Sequence, residues 1–209
     1  MNLIVFGATG LVGKQLVQQA LFKEHHVKAF GRNVYTTDFL QTENLKLVQG
    51  ALFDEGEVYK AIKGCDAVLS VIGGSADGSD KTRTLGMKNI IHQMNKAAVK
   101  RIVALGGMGI LNADEHSLLI DEDDYPKQYV AVGREHQKAW EFLKESDLDW
   151  TFVCSPDIIN EGPTGNYITN ADYPPEPNKY RINAGDLAMF MLNELEKNKY
   201  VKHRVGISN

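Results

Sequence analysis

The opening stretch of the chain restricts its fold more than any other part. Leu3-Ile4-Val5-Phe6 is a short apolar run, Gly7-Ala8-Thr9-Gly10-Leu11-Val12-Gly13 is a glycine-rich turn, and Lys14 to Leu21 continues with helical periodicity. Val12, Leu16 and Ala20 fall on one face of that helix, with Val17 and Leu21 beside them. The glycines, three residues apart, divide the work of a strand–turn–helix unit. Gly7 permits the sharp exit from the strand, Gly10 lets a ligand approach the backbone, and Gly13 lets the helix pack close to the sheet. The helix N-terminus offers unpaired N–H groups and a positive dipole end to an anion. Between a strand and a helix, the pattern reads as the cradle for the diphosphate of a dinucleotide.

At 209 residues the chain has room for one good-sized core, and residues 1–209 are read as a single domain. A formal charge of −4 argues against a general nucleic-acid binder. No apolar run reaches the ~18 residues of a membrane-spanning helix. The first strand begins at once, without a basic leader, so no signal peptide is expected. Cys65 and Cys154 show neither metal-ligand spacing nor a disulfide framework, which points to a reducing cytoplasm and to no metal.

Further strands are expected at Val27–Phe30, Leu45–Gln49, Asp66–Ile72, Arg101–Leu105, Leu148–Cys154 and His203–Ile207, with a short one at Arg181–Ile182. Helices are expected after Asp54, from Ser79-Asp80 or Thr84 through the stripe Met87, Ile90, Ile91, Met94, Ala98, from about Tyr129 to Ser146, and from Asn183 or Ala184. Strands alternating with helices predict an α/β fold, a Rossmann-type doubly wound parallel sheet with helices on both faces. Gly31, Gly73-Gly74 and Gly106-Gly107 close successive strands on one sheet edge, where ligands of such sheets bind. The second strand ends in Gly31-Arg32, with no carboxylate until Asp38. A guanidinium there suits a 2′-phosphate, whereas a carboxylate would repel one, so NADP(H) is favoured over NAD(H). Segments 110–128 and 160–179 are expected to form a small substrate-side region.

This order of motifs resembles an atypical short-chain dehydrogenase/reductase, and within that group the NmrA-like, flavin reductase/biliverdin reductase B branch. The resemblance rests on Gly7 to Gly13, Gly31-Arg32-Asn33, Gly64-Cys65-Asp66-Ala67-Val68, Lys100 to Ala104, Leu143 to Thr151 and Ser155-Pro156-Asp157-Ile158. It implies that Gly7, Ala8, Thr9, Gly10, Leu11, Val12 and Gly13 hold the diphosphate and Arg32 the 2′-phosphate. It further implies that Ile72, Gly73 and Gly74 line the adenosine and inner ribose, Leu105, Gly106 and Gly107 the nicotinamide ribose, and Ser155, Pro156, Asp157 and Ile158 the nicotinamide end.

Three positions depart from the family pattern. Ala51 stands where members carry an adenine-binding aspartate, leaving backbone contacts from Ala51 and Leu52. Gly106-Gly107 replaces the catalytic serine, and Tyr129 is followed four residues later by Gly133, not lysine. Candidates for a proton donor or ribose contact are His136, Tyr129 and Lys138. The resemblance implies a reductase passing hydride to a flavin, a quinone or a similar small molecule. The missing hydroxyls keep open a non-catalytic NADP(H) sensor acting on a protein partner. A sugar-nucleotide epimerase-like enzyme fits less well, because it needs the tyrosine–lysine pair.

Overall fold

The computed structural model describes residues 1–75 and 77–209. Among these residues the chain forms strands β1 (Asn2–Phe6), β2 (His26–Gly31), β3 (Leu45–Gln49), β4 (Ala67–Ser70), β5 (Arg101–Gly107), β6 (Asp149–Ser155), β7 (Asp157–Ile159), β8 (Ile168–Ala171), β9 (Arg181–Asn183) and β10 (His203–Ser208). Helices α1 (Leu11–Phe22), α2 (Glu55–Ile62), α3 (Thr82–Lys96), α4 (Lys127–Lys144) and α5 (Ala184–Lys197) join them. The main sheet has the order β3-β2-β1-β4-β5-β6-β10-β8, parallel except where β8 runs against β10. This is the expected Rossmann-type α/β fold.

Side-chain alternation in β1 explains its central place. Leu3 and Val5 pack into the apolar layer shared with α1 and α5, while Ile4 and Phe6 pack into the layer shared with α2, α3 and α4. All four are fully buried. A strand apolar on both sides is stable only between two covered faces, as in a parallel sheet. The chain winds one way from β1 to β3 and the other way from β4 to β10, so a crevice opens beyond the carboxyl ends of β1 and β4. No helix among the described residues is long and apolar enough to cross a membrane.

Some boundaries differ from expectation. Helix α4 starts at Lys127, with Pro126 before it supplying a fixed φ of −62°. Helix α3 ends at Lys96, so Ala98 falls outside the apolar stripe, is exposed and takes a φ of +57°. Two 3-10 turns, Met108–Ile110 and Leu119–Asp121, shape what was expected to be open loop. Strands β7 and β8 were not foreseen, since three or four half-exposed residues carry no apolar signal. β7 pairs in parallel with β9, Ile158 opposite Ile182, in a ribbon beside the main sheet.

Two buried polar side chains fasten the substrate-side segments to the scaffold. Asp186 of α5 accepts hydrogen bonds from the Thr164 N–H (2.7 Å), the Thr164 hydroxyl (2.8 Å), the Gly165 N–H (2.7 Å) and the Asn209 amide (2.8 Å). Arg204 of β10 donates to the Ile110 carbonyl and to Asn112 Oδ1 (2.6 Å), and stacks 4.4 Å from the Trp140 ring centre. Asp172 accepts the Arg204 backbone N–H at 3.0 Å. A charged group held inside by several directed bonds fixes geometry more tightly than apolar packing does.

Candidate functional site

A cleft of about 1160 Å³ follows the carboxyl edge of the sheet across the crevice between β1 and β4. The glycines of its first turn have distinct local reasons. A Cβ on Gly7, whose φ is +81°, would lie 2.4 Å from the Val71 carbonyl oxygen. One on Gly13 would lie 2.1 Å from the Gly7 carbonyl oxygen, so the protein's own backbone fills both places. Gly10 differs: its Cβ would meet only the Gly7 oxygen, at 3.3 Å, and Gly73 faces open space. Gly10 precedes α1, and no side chain caps the helix there. The Lys14 N–H bonds the Gly10 carbonyl at 3.0 Å, leaving the earlier N–H groups of Leu11, Val12 and Gly13 to the cleft that these residues line. An uncapped, glycine-walled helix start of this kind fits a diphosphate.

Gly7, Thr9, Gly10, Leu11, Val12, Gly13, Arg32, Ala51, Leu52, Ile72, Gly73, Gly74, Leu105, Gly106, Gly107, Ser155, Pro156, Asp157 and Ile158 all line the cleft. Ala8 does not: it is fully buried beneath the turn. Arg32 is exposed, and no ion pair holds its guanidinium among the described residues. At the other strand end, the backbone contacts expected from Ala51 and Leu52 must be narrowed. The Ala51 N–H already donates to Glu57 Oε2 at 2.7 Å and its carbonyl accepts from Asp54, while the Leu52 carbonyl accepts from Asn89. Among the described residues the Leu52 N–H is the donor left for a ligand, and each carbonyl keeps one lone pair. The Ser155 hydroxyl is likewise engaged, donating to the Gly106 carbonyl at 3.3 Å.

The candidate proton donors separate. Lys138 is exposed and does not line the cleft. Two residues along a helix is about 200° of rotation, so it cannot share the face of His136, and the expected ribose contact is corrected. Tyr129 lines the cleft and donates from its hydroxyl to Asp157 Oδ1 at 3.3 Å. His136 also lines the cleft, but burial, and then the nearby Arg83 charge, push its imidazole down to about 3. It is therefore neutral at physiological pH and is not the readily protonated acid that its position on the helix had suggested. The sign for stability follows. As pH falls below the ordinary value of 6.5, the unfolded chain gains a proton that the folded chain refuses, so stability drops. His136→Asn should thus flatten the fall in Tm between about pH 7 and pH 4 relative to the unmodified protein, as read by thermal denaturation. An unchanged slope would show that the folded imidazole titrates normally.

The glycines that replace the usual catalytic residues are dictated by their neighbours. A Cβ on Gly107 would meet the His136 ring carbon Cδ2 at 2.9 Å. One on Gly133 would meet Ile120 Cδ1 at 2.5 Å, with the Tyr125 hydroxyl 3.7 Å away. A side chain at either place would have to move a neighbour: the His136 ring at 107, the end of Ile120 at 133.

Sequence reading missed Arg83 and Tyr125. Arg83, near the start of α3, lines the cleft and donates to the carbonyls of Ser75 (3.0 Å) and Gly74 (3.1 Å), bracing the wall beyond β4. Tyr125 lines the acceptor end, and burial raises its phenol above the usual range. Neither carries a motif: Arg83 comes nine residues after Gly74, too far along the chain for spacing to join them.

The profile of a family described as NAD(P)H-binding matches residues 7–198. Over 219 aligned residues the chain is 25% identical to the uncharacterised protein YwnB of Bacillus subtilis, covering 99% of this chain and 98% of that one. A Streptococcus pneumoniae structure provisionally assigned as an NADH-flavin reductase is 27% identical, with a TM-score of 0.82 over 100% of this chain and 99% of that one. A Bacteroides thetaiotaomicron structure provisionally assigned as an epimerase is 27% identical, with a TM-score of 0.87 over 99% and 96%. The match agrees with the resemblance to atypical short-chain dehydrogenases/reductases. With the cleft, the uncapped helix start and the profile in agreement over nearly the whole chain, the protein belongs to the NAD(P)H-binding family.

Proposed function

We propose that the protein is an NADP(H)-dependent oxidoreductase that reduces a flavin, quinone or similar planar small molecule. The observation that carries this reading is the packing at Gly107 and Gly133: the serine and lysine are absent there, and a side chain at either place would have to displace the His136 ring or the end of Ile120. The Tyr129 hydroxyl in this cleft has Asp157 as its partner, whereas an alcohol–ketone enzyme needs a hydroxyl paired with a lysine so that its proton moves with the hydride. Flavin or quinone reduction does not, because the acceptor can take its proton from water. When bound, the reduced nicotinamide would supply a hydride; with one solvent proton this completes a two-electron reduction and leaves the oxidised dinucleotide. The chain's part is to bind the diphosphate at α1, hold the ring end against Leu105 to Gly107 and Pro156, and exclude bulk water. The names of similar proteins divide between reductase and epimerase; the absent lysine supports the former.

Arg32 supports the choice of NADP(H). Arg32→Ala should weaken NADPH binding roughly tenfold or more and leave NADH binding nearly unchanged, as measured by fluorescence titration. Equal losses for both would remove the 2′-phosphate role. The two free, buried cysteines suit a cytoplasmic location. The same absences also favour a second reading, a dinucleotide sensor that signals to a protein partner. NADPH oxidation with riboflavin, FMN and a neutral quinone decides between them: turnover on any of these supports the reductase, and tight NADPH binding without turnover selects the sensor.

A further inference from the structure

Charge is distributed unevenly along the cleft. Its basic lining side chains among the described residues are Arg32, at the end of β2, and Arg83, which donates to the Gly74 and Ser75 carbonyls with the lining carboxylate Asp80 close by. The acceptor end, beyond Gly107, is lined by Glu122, Asp124 and Asp157 with Tyr125, Tyr129 and Tyr180. None of those three carboxylates forms an ion pair among the described residues. Glu122 accepts from the Ser117 hydroxyl at 2.8 Å and Asp157 from Tyr129, neutral partners that leave each charge uncompensated. Nearby cations stay outside the cleft: Arg134 binds Asp121 at 2.8 Å, Lys127 and Lys179 do not line it, and neither does Arg181, which stands opposite Asp157 in the β7–β9 pair without forming an ion pair with it. The N-terminus of α4 opens here and contributes about half a positive charge, which three carboxylates outweigh. Tyr129 is 40% and Tyr180 64% exposed, so flat apolar surface stands open at the rim.

We infer that the acceptor at this site is a neutral or cationic planar ring, and that Glu122, Asp124 and Asp157 discriminate against acceptors bearing a phosphate. The inference rests on the reductase reading above and narrows its substrate class. A phosphate monoester carries nearly two negative charges at neutral pH and would enter a mouth of the same sign in which no basic side chain meets it. The aromatic rim would cover a ring of either kind equally, so charge, not shape, separates them.

The test compares kcat/KM for riboflavin and FMN, which share one ring system and differ by the phosphate, with NADPH saturating. At low ionic strength riboflavin should be favoured by about tenfold or more, and added salt should shrink that ratio through screening. Glu122→Gln with Asp124→Asn should raise kcat/KM for FMN about threefold or more relative to riboflavin. If the double variant does not fold, the salt series on the unmodified protein decides alone. FMN used as well as riboflavin at low salt would overturn the inference while leaving the reductase reading intact. A preference that moved with neither salt nor substitution would also overturn it, pointing to shape. Failure to reduce riboflavin, FMN and a neutral quinone alike would remove the reductase reading itself.

Discussion

Gly13→Ala should give a protein that no longer retains a nicotinamide dinucleotide and that melts several degrees lower. The added methyl would stand 2.1 Å from the Gly7 carbonyl oxygen and 2.8 Å from the Ala8 backbone. These are backbone atoms of the turn that follows β1, not the ends of flexible side chains, so nothing nearby can swing aside. Relief requires α1 to lift from β1, which also moves the N–H groups that face the diphosphate. Overpacking of this sort costs about 1–3 kcal/mol, and more where the neighbour is rigid. For a chain of this size that lowers Tm by roughly 2–4 °C per kcal/mol. Gly10→Ala is the informative comparison. Its methyl meets one atom at 3.3 Å, so stability should change little while NADPH affinity falls, because the methyl intrudes where the ligand approaches. Thermal melts and fluorescence titration of both variants separate the two roles. Undiminished affinity in Gly13→Ala would break the link between this turn and the cofactor.

Asp186→Ala should be strongly destabilising, at about 2–3 kcal/mol, because it removes a buried acceptor that several part-buried donors share. Thr164 loses two bonds, and Gly165, Asn183 and Asn209 lose one each. The 160–167 segment then keeps only its bond from the Gly185 N–H to the Glu161 carbonyl, at 3.0 Å, among its described bonds to α5. Asp186→Asn should recover only part of the loss, since an amide presents one acceptor oxygen where the carboxylate presents two. The carboxylate also imposes a pH dependence. Burial opposes its ionisation, but hydrogen bonds from Thr164, Gly165 and Asn209 outweigh that and hold its pKa below the ordinary value of 3.8. A depressed carboxylate stabilises the fold above its unfolded pKa, and that contribution is lost as pH falls through the folded value. The Asp186 contribution is therefore complete near neutrality and should vanish only below about pH 4. Urea melts at two pH values measure this. A loss in Asp186→Ala that is the same at strongly acidic and neutral pH would contradict it.

The scaffold was readable because its signals are local and redundant. β1, the turn and α1 announce themselves by alternation, glycine spacing and helical period within a single stretch, and the burial of Leu3, Ile4, Val5 and Phe6 repeats the same message. The cofactor-side residues followed, since strand ends in a doubly wound sheet share one edge. The acceptor side was far less readable. Whether Lys138 reaches the cleft depends on the rotation of α4, which is set by the packing of Glu135 against Thr84 and Lys81 across α3. That contact joins residues about fifty positions apart and leaves no trace in spacing. The neutrality of His136 is likewise a property of its enclosure and of Arg83, not of the residue type. β7 and β8 escaped notice because their pairing partners lie far along the chain and their own residues are half exposed.

Gly133 bears on what this protein could become. A lineage that drifted toward alcohol–ketone chemistry would need a lysine four residues after Tyr129. The first methylene of that lysine would collide with Ile120, and its stem would crowd the Tyr125 hydroxyl. A hydroxyl side chain at position 107 would in turn require the His136 ring to leave. Each of these changes asks a neighbour to move: the Ile120 side-chain end for position 133, and the His136 ring for position 107. The packing around positions 107 and 133 thus couples each glycine to one neighbour across the cleft wall, so a change at either is felt at His136 or Ile120.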